Sequence, residues 1–529
     1  MADTIGTGSR LTSGALVIAV FSVASRLLGV LRDRLLAAHF GAGSVLDAYY
    51  AAFKIPDFIF NIFVLGALAS AFIPVFIRLR DREGRPAAWQ VAQSVFNLLV
   101  SLLIGLALIG IVLAPWLMPL IAPGFEAERL QLATSLTRVM LLAIVFFGAS
   151  NVIGSVLQAE QRFLSYSLAA VLYNLGIIIG LFTFVRAWGP VGLAWGVVLG
   201  SVLHLLVQVP AVFRIGFRWR AVWSFSNPGV REVLRLLGPR TIGLAASSLE
   251  QIITAGFVST LGVGSLAAFA LASNLQSFPI NVFGVSLAVA AFPIFSQAIS
   301  LNNHDHFTSH FKESVRRIVF FVLPMSVLFL VLRAQVVRVV LGSGAFDWGD
   351  TIRTAQVLGF LALAMLPDSL VPLVARAFYA LEDTRTPALV ASGTVALNVV
   401  LLITLWPFGL MGIGLAYVIS RLLSLAALLG LLGRRLGALG ADYIIQGTRV
   451  MLLASTAAGA AAYGTLQVVV PFVNQHTFVG IFTQGAAAGA VGVLTYLVFT
   501  MVAKLPEVEF MERWLTSAWR LTRRLWTTA

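Results

Sequence analysis

Apolar residues run along this chain in long blocks, and short polar stretches rich in arginine separate them. A helix needs roughly 20 apolar residues to cross ~30 Å of hydrocarbon, so each block predicts a spanning helix. Fourteen are predicted, the first seven near 12–31, 46–78, 90–121, 130–157, 164–185, 190–213 and 238–261. The other seven lie near 265–298, 315–341, 352–379, 386–405, 410–432, 446–470 and 477–503. The pattern also repeats. Gly192-Leu193-Ala194-Trp195 returns 222 positions later as Gly414-Leu415-Ala416-Tyr417, and Gly43-Ser44 returns at 221 as Gly264-Ser265. Leu157-Gln158-Ala159 lines up with Phe378-Tyr379-Ala380, and Gly66, Pro74 and Phe76 with Gly284, Pro293 and Phe295.

The predicted fold is therefore all-α and polytopic: about 14 transmembrane helices in two six-helix lobes, with two extra helices at the C-terminal end. The lobes are predicted at 1–220 and 221–440, the added pair at 441–505, and an interfacial helix at 506–529. Six spans per repeat give both lobes the same orientation, an arrangement typical of transporters with a path between the halves.

Composition agrees: 59% of residues are hydrophobic and 11% charged, where soluble domains carry about 25% charged residues. The net charge of +14 sits beside the spans. Arg78, Arg80, Arg82 and Arg85 follow span 2, Arg214, Arg218 and Arg220 follow span 6, and Arg434 and Arg435 follow span 12. By the positive-inside rule the even-numbered loops and both termini are cytoplasmic. Arginines spread in this way form no basic domain, so no nucleic-acid partner is expected. The exception is Arg32-Asp33-Arg34, read as a loop after span 1 on the side that should be poor in cations. In the tail, Met511, Trp514, Ala518, Leu521 and Leu525 share one helical face and Arg513, Arg520 and Arg524 the other, as in a helix lying on membrane lipids.

Charges inside spans are costly and therefore candidate sites. Asp47, Lys54 and Asn61 are seven apart, on one face of span 2, with Pro56 expected to kink it. They read as a cavity-facing stripe, or, for Asp47 and Lys54, as interface residues. Asn274 and Asn281 repeat the spacing in span 8, as cavity lining or as interhelical hydrogen bonds. Arg26 lies deep in span 1, and its guanidinium fork suits a phosphate. Arg138 and Glu250 read as packing charges. No P-loop is present and the chain has no cysteine. His304, His306 and His310 read as a solvated loop, so no metal or other cofactor is expected.

Several segments carry a resemblance. Ser25-Arg26-Leu27-Leu28-Gly29, Arg32-Asp33, Phe40-Gly41-Ala42-Gly43, Asp47-Ala48 and Phe53-Lys54-Ile55-Pro56 resemble the N-terminal signature of the MurJ (MviN) family. Gly66-Ala67, Ala71-Phe72-Ile73-Pro74, Ala122-Pro123-Gly124-Phe125 and Arg376-Ala377-Phe378-Tyr379-Ala380, followed by Asp383-Thr384-Arg385-Thr386-Pro387, continue it.

The resemblance implies a flippase of the MOP exporter superfamily in the bacterial inner membrane, not an enzyme. It would carry lipid II, a polyprenyl-linked glycolipid, from the cytoplasmic to the outer leaflet by alternating access, as a monomer. Arg32, Asp33 and Asp47 match residues near the outward gate. Arg26, Lys54, Asn61 and Asn274 would meet the substrate. Glu250 and Asp383 are candidates for ion coupling, with the membrane potential or a monovalent cation gradient as the driving force.

The chain departs from the family's pattern at Phe60-Asn61, Leu65 and Ser273-Asn274, where cavity charges are usual. That keeps open another polyprenyl-diphosphate-linked glycan as cargo. A drug–cation antiporter of the MATE type and a non-transporting scaffold are the remaining readings.

Overall fold

In the computed structural model, residues 3–65, 68–437, 439–475, 477–513 and 516 are described, and every regular element among them is helical. Gly66-Ala67 and most of the predicted tail helix, Trp514 included, lie outside the described residues. Among the described residues, ten helices are long and apolar enough to cross a membrane. One of them, Arg385–Leu436, holds two predicted spans, which meet at a 3-10 turn over Trp406–Phe408. The predicted spans near 12–31, 46–78 and 238–261 fall on Asp3–Phe40, on the segments between Ser44 and Arg82, and on Pro228–Ser259.

Two local expectations change. The first helix runs unbroken through Arg32-Asp33-Arg34 to Phe40, because nothing before Gly41 breaks it; the triplet is helical, not loop. The His304–His310 cluster is also helical. Asn303 Oδ1 accepts from the His306 amide at 2.9 Å and so starts the helix His304–Val331 at the histidines.

Span 2 is segmented. Helix Ser44–Ala52 gives way at Phe53 to Lys54–Phe60, and a π-helix occupies Asn61–Leu65. Pro56 has no N–H to offer the Ala52 carbonyl, and Thr137 Oγ1, which donates to the Ala133 carbonyl at 2.8 Å, lies 3.4 Å from it. The repeat shows in the backbone, because span 8 also passes through a π-helix, Ile280–Val285, directly after Pro279.

The chain divides into two compact units, one made of Met1–Ala270 with Ser343–Asp350 and the other of Leu271–Gly342 with Thr351–Ala529. Within the first, Phe163–Phe182 and Gly192–Leu206 approach through glycines: a Cβ on Gly176 would lie 2.3 Å from the Gly200 Cα, and one on Gly180 2.3 Å from the Gly196 Cα. Small residues spaced by four thus set the contact, which is the packing role expected of glycines in apolar spans.

The second unit has an aromatic core of Phe295, Phe307, Phe311, Phe320 and Phe378, and the helices Ala441–Val469 and Phe478–Val502 belong to it. Tyr496 Oη donates to the Phe320 carbonyl at 2.9 Å. Arg316 pairs with Glu507 at 2.6 Å, both almost fully buried, and lies 4.1 Å from the Tyr443 ring centre. This arginine holds helices together.

Candidate functional site: a charged latch and an open cavity

Asp47 is fully buried, with 0% of its surface exposed. Its Oδ2 accepts from the Gly264 amide at 2.6 Å and its Oδ1 from the Ala267 amide at 2.8 Å. These amides open the helix Ser265–Pro279, whose first N–H groups have no partner within the helix. Asp47 therefore caps that helix from a distant segment, and its charge sits at the positive end of the helix dipole. Arg129 Nη1 approaches Asp47 Oδ2 at 3.4 Å; it is itself buried and stacks 4.8 Å from the centre of the Phe125 ring.

Two backbone contacts accompany the latch. A Cβ on Gly124 would lie 2.3 Å from the Ser259 carbonyl oxygen, and the Gly124 amide donates to Ser259 Oγ at 3.2 Å. Gly41 adopts φ +62°, and a Cβ there would lie 2.9 Å from the Ala345 carbonyl oxygen. The neighbouring Ala42 amide donates to Asp350 Oδ2 at 2.9 Å, and the Ala345 amide donates to the Ala38 carbonyl at 2.8 Å. All of these residues lie in the first unit. The glycine-bearing motifs 40–43 and 122–125 are thus places where backbones meet without room for a side chain.

Arg32 and Asp33 pair with each other. Arg32 Nε and Nη2 donate to Asp33 Oδ1 at 2.9 and 2.7 Å, and Nη1 donates to Asn174 Oδ1 at 3.1 Å. Asn174 Nδ2 in turn donates to the Ser25 carbonyl at 3.2 Å. The pair therefore ties the first helix to Phe163–Phe182.

The predicted stripe does not share one environment. Asp47 is consumed by the latch, and Asn61 Nδ2 donates to Ser248 Oγ at 3.3 Å. Lys54 is half-buried and forms no ion pair or hydrogen bond with a described residue, and Arg26 is exposed and equally unpaired. Asn274 is exposed, and its carbonyl accepts from Ser277 Oγ at 2.8 Å. Glu250 is buried, while Arg138 is exposed and donates to the Ile111 carbonyl at 3.1 Å.

Asp383 is a capping residue. Its Oδ1 accepts from the Arg385 and Thr386 amides at 2.9 and 3.0 Å, and its Oδ2 accepts from Thr386 Oγ1 at 2.6 Å and pairs with Arg435 at 2.7 Å. Desolvation opposes ionisation of this carboxyl, but the hydrogen bonds and the Arg435 charge outweigh it and hold it below the usual carboxylate range. The second unit also gathers Asp368: Tyr417 Oη donates to Oδ2 at 2.9 Å, Gln276 Nε2 at 3.2 Å, and Arg421 lies 3.5 Å from Oδ1.

Sequence reasoning passed over two groups. Arg129 stands alone near the start of its helix, with no local signal that it meets Asp47. Asp57, three residues after Lys54, lines a cavity of about 310 Å³ together with Phe60, Phe147, Asn151, Tyr173 and His204, all in the first unit. The signal for Asp57 was available, since it is a second acidic residue inside span 2.

Long apolar helices in two units, buried capping charges and a cavity lined by both polar and aromatic groups define a polytopic helical membrane transporter. Its fold is like that of a lipid II flippase MurJ structure in an inward closed conformation, with a TM-score of 0.75 at 22% identity, covering 92% of this chain and 98% of that one. It is also like an inward-facing multidrug resistance MATE family transporter of the MOP superfamily, with a TM-score of 0.68 at 18% identity, covering 81% and 99%.

Residues 36–484 match the family described as lipid II flippase MurJ, and the chain belongs to that family. Among its relatives, the lipid II flippase MurJ of Burkholderia cenocepacia is 29% identical, covering 72% of this chain and 75% of that protein. The probable lipid II flippase MurJ of Thermotoga maritima is 28% identical, covering 92% and 95%.

Proposed function

We propose that this chain translocates lipid II from the cytoplasmic to the outer leaflet of the bacterial inner membrane by alternating access. The observation that carries the reading is the family match across residues 36–484, which spans both units. The geometry supports a mechanism. The Asp47 latch, with Arg129 and the Gly264 and Ala267 amides, is the gate on the side of the arginine-poor loops, and its release opens that side. Arg26 and Lys54 form no ion pair with a described residue and are therefore available to grip the diphosphate. The arginine-rich even loops support cytoplasmic termini. The route lies within one chain, so the working unit is a monomer, and the membrane potential or a monovalent cation gradient drives its return. The step moves a lipid without breaking a covalent bond.

The test is rescue of cells depleted of their own lipid II flippase. Growth restored by this chain supports the reading. No rescue despite verified membrane insertion would refute it and leave the other polyprenyl-diphosphate-linked glycans as cargo.

A further inference from the structure

The first unit contains a cavity that neither the latch nor the proposed diphosphate grip uses. Asp57 places a carboxylate in its wall, and that carboxylate forms no hydrogen bond or ion pair with a described residue. Around it runs a chain of ring contacts: Phe60 to Phe147 at 5.5 Å between centroids, Phe147 to Tyr173 at 4.8 Å, and Phe147 to His204 at 5.3 Å. Asn151 Nδ2 is committed to the Phe147 carbonyl at 2.9 Å, which leaves Oδ1 as an acceptor. His204 is held from behind, its Nδ1 2.6 Å from Ser150 Oγ, and Gln208 Nε2 donates to that hydroxyl at 2.7 Å.

Among the described residues, no lysine or arginine lines this space. Lys54 acts on Asp57 electrostatically without forming an ion pair, and Arg32, engaged by Asp33 and Asn174, acts on Tyr173. The inventory narrows the occupant. An anion would face the Asp57 carboxylate with no cation among the described lining residues. A wholly apolar molecule would leave that carboxylate desolvated and unsatisfied. A bare metal ion wants about six oxygen ligands, and the wall offers few. A carboxylate, an amide oxygen and several aromatic faces together suit an organic ammonium, through a charge-assisted hydrogen bond and cation–π contact.

We propose that this cavity binds an alkylammonium group, a primary amine on a short aliphatic stem. Resting on the lipid II reading, the source is a side-chain primary amine carried on the lipid II headgroup. A free aliphatic amine is the other source of the same chemistry.

The test compares binding to purified wild-type and Asp57→Asn protein of lipid II with a free side-chain amine and of lipid II acetylated at that nitrogen, with folding checked by thermal unfolding. Acetylation should weaken wild-type binding about tenfold, and Asp57→Asn should weaken binding of the free-amine form about tenfold while leaving the acetylated form unchanged. Equal losses for both forms, or no loss, would overturn the assignment.

A second arm titrates n-pentylamine alone against both proteins and follows thermal stability. Stabilisation of the wild type but not of Asp57→Asn supports an amine site even if neither form of lipid II binds, and in that case only the flippase reading fails. Identical responses of the two proteins to pentylamine and to both lipid II forms would overturn the site itself.

Discussion

Replacing Asp47 with alanine should release the latch. The carboxylate accepts from two backbone amides and faces a buried guanidinium. Removing it leaves two donors unsatisfied, at about 1–3 kcal/mol each, and strands a buried charge, an effect that costs roughly 3–5 kcal/mol where it is measured alone. These terms overlap, so about 3–5 kcal/mol is the working magnitude, enough to shift a two-state equilibrium on the order of a hundredfold to several thousandfold. The chain has no cysteine, so one introduced at Ser265, which is 3% exposed, reports the latch without background. A membrane-impermeant maleimide should label Ser265→Cys slowly in the parent and at least tenfold faster with Asp47→Ala. Arg129→Gln should give a smaller rise, because both amide bonds to Asp47 survive. Unchanged labelling in a folded Asp47→Ala protein would refute the latch.

Three further outcomes follow from the same contacts. Gly124→Ala should lower thermal stability or membrane abundance, since its Cβ would fall 2.3 Å from a backbone oxygen that cannot swing away; a wild-type melting temperature would contradict this close approach. Asp383→Asn should cost about 1 kcal/mol of stability near neutral pH through the lost charge facing Arg435 and the helix N-terminus, since asparagine keeps the cap. Because the folded carboxyl sits below its usual value, that contribution is present above about pH 4 and is lost as pH falls through the folded value. The unfolding temperatures of wild type and variant should therefore converge in acid, and a gap independent of pH would contradict it. Glu507→Ala, which strands the buried Arg316, should destabilise by roughly 3–5 kcal/mol in chemical denaturation, whereas exposed Glu509→Ala should change little.

The sequence carried the architecture because crossing hydrocarbon demands long apolar helices, and because internal repetition leaves matching glycines and prolines. Even the π-helices after Pro56 and Pro279 stand at places where the repeat aligns. It carried the importance of Asp47 but not its partners: Arg129, Gly264 and Ala267 lie far along the chain, and a cap supplied in trans has no local signature. A spacing of seven grouped Asp47, Lys54 and Asn61 on one face, and that grouping assumed a continuous helix. Phe53, Pro56, Asp57 and Phe60 form a neighbouring helical stripe, and it is this stripe that lines the cavity. Asp383 illustrates a different difficulty. The Asp-Thr-Arg-Thr-Pro run is a helix-start pattern, but the Arg435 contact that completes its surroundings comes from far along the chain.

Movement of lipid II itself tests the central claim most directly. Purified protein is reconstituted into vesicles with fluorescent lipid II, and the fraction reaching the opposite leaflet is read with a membrane-impermeant quencher. The account predicts protein-dependent transfer that falls to the protein-free level in the Arg26→Ala, Lys54→Ala double variant. Transfer no faster than in empty vesicles, with the wild type shown to be folded and inserted, would contradict it.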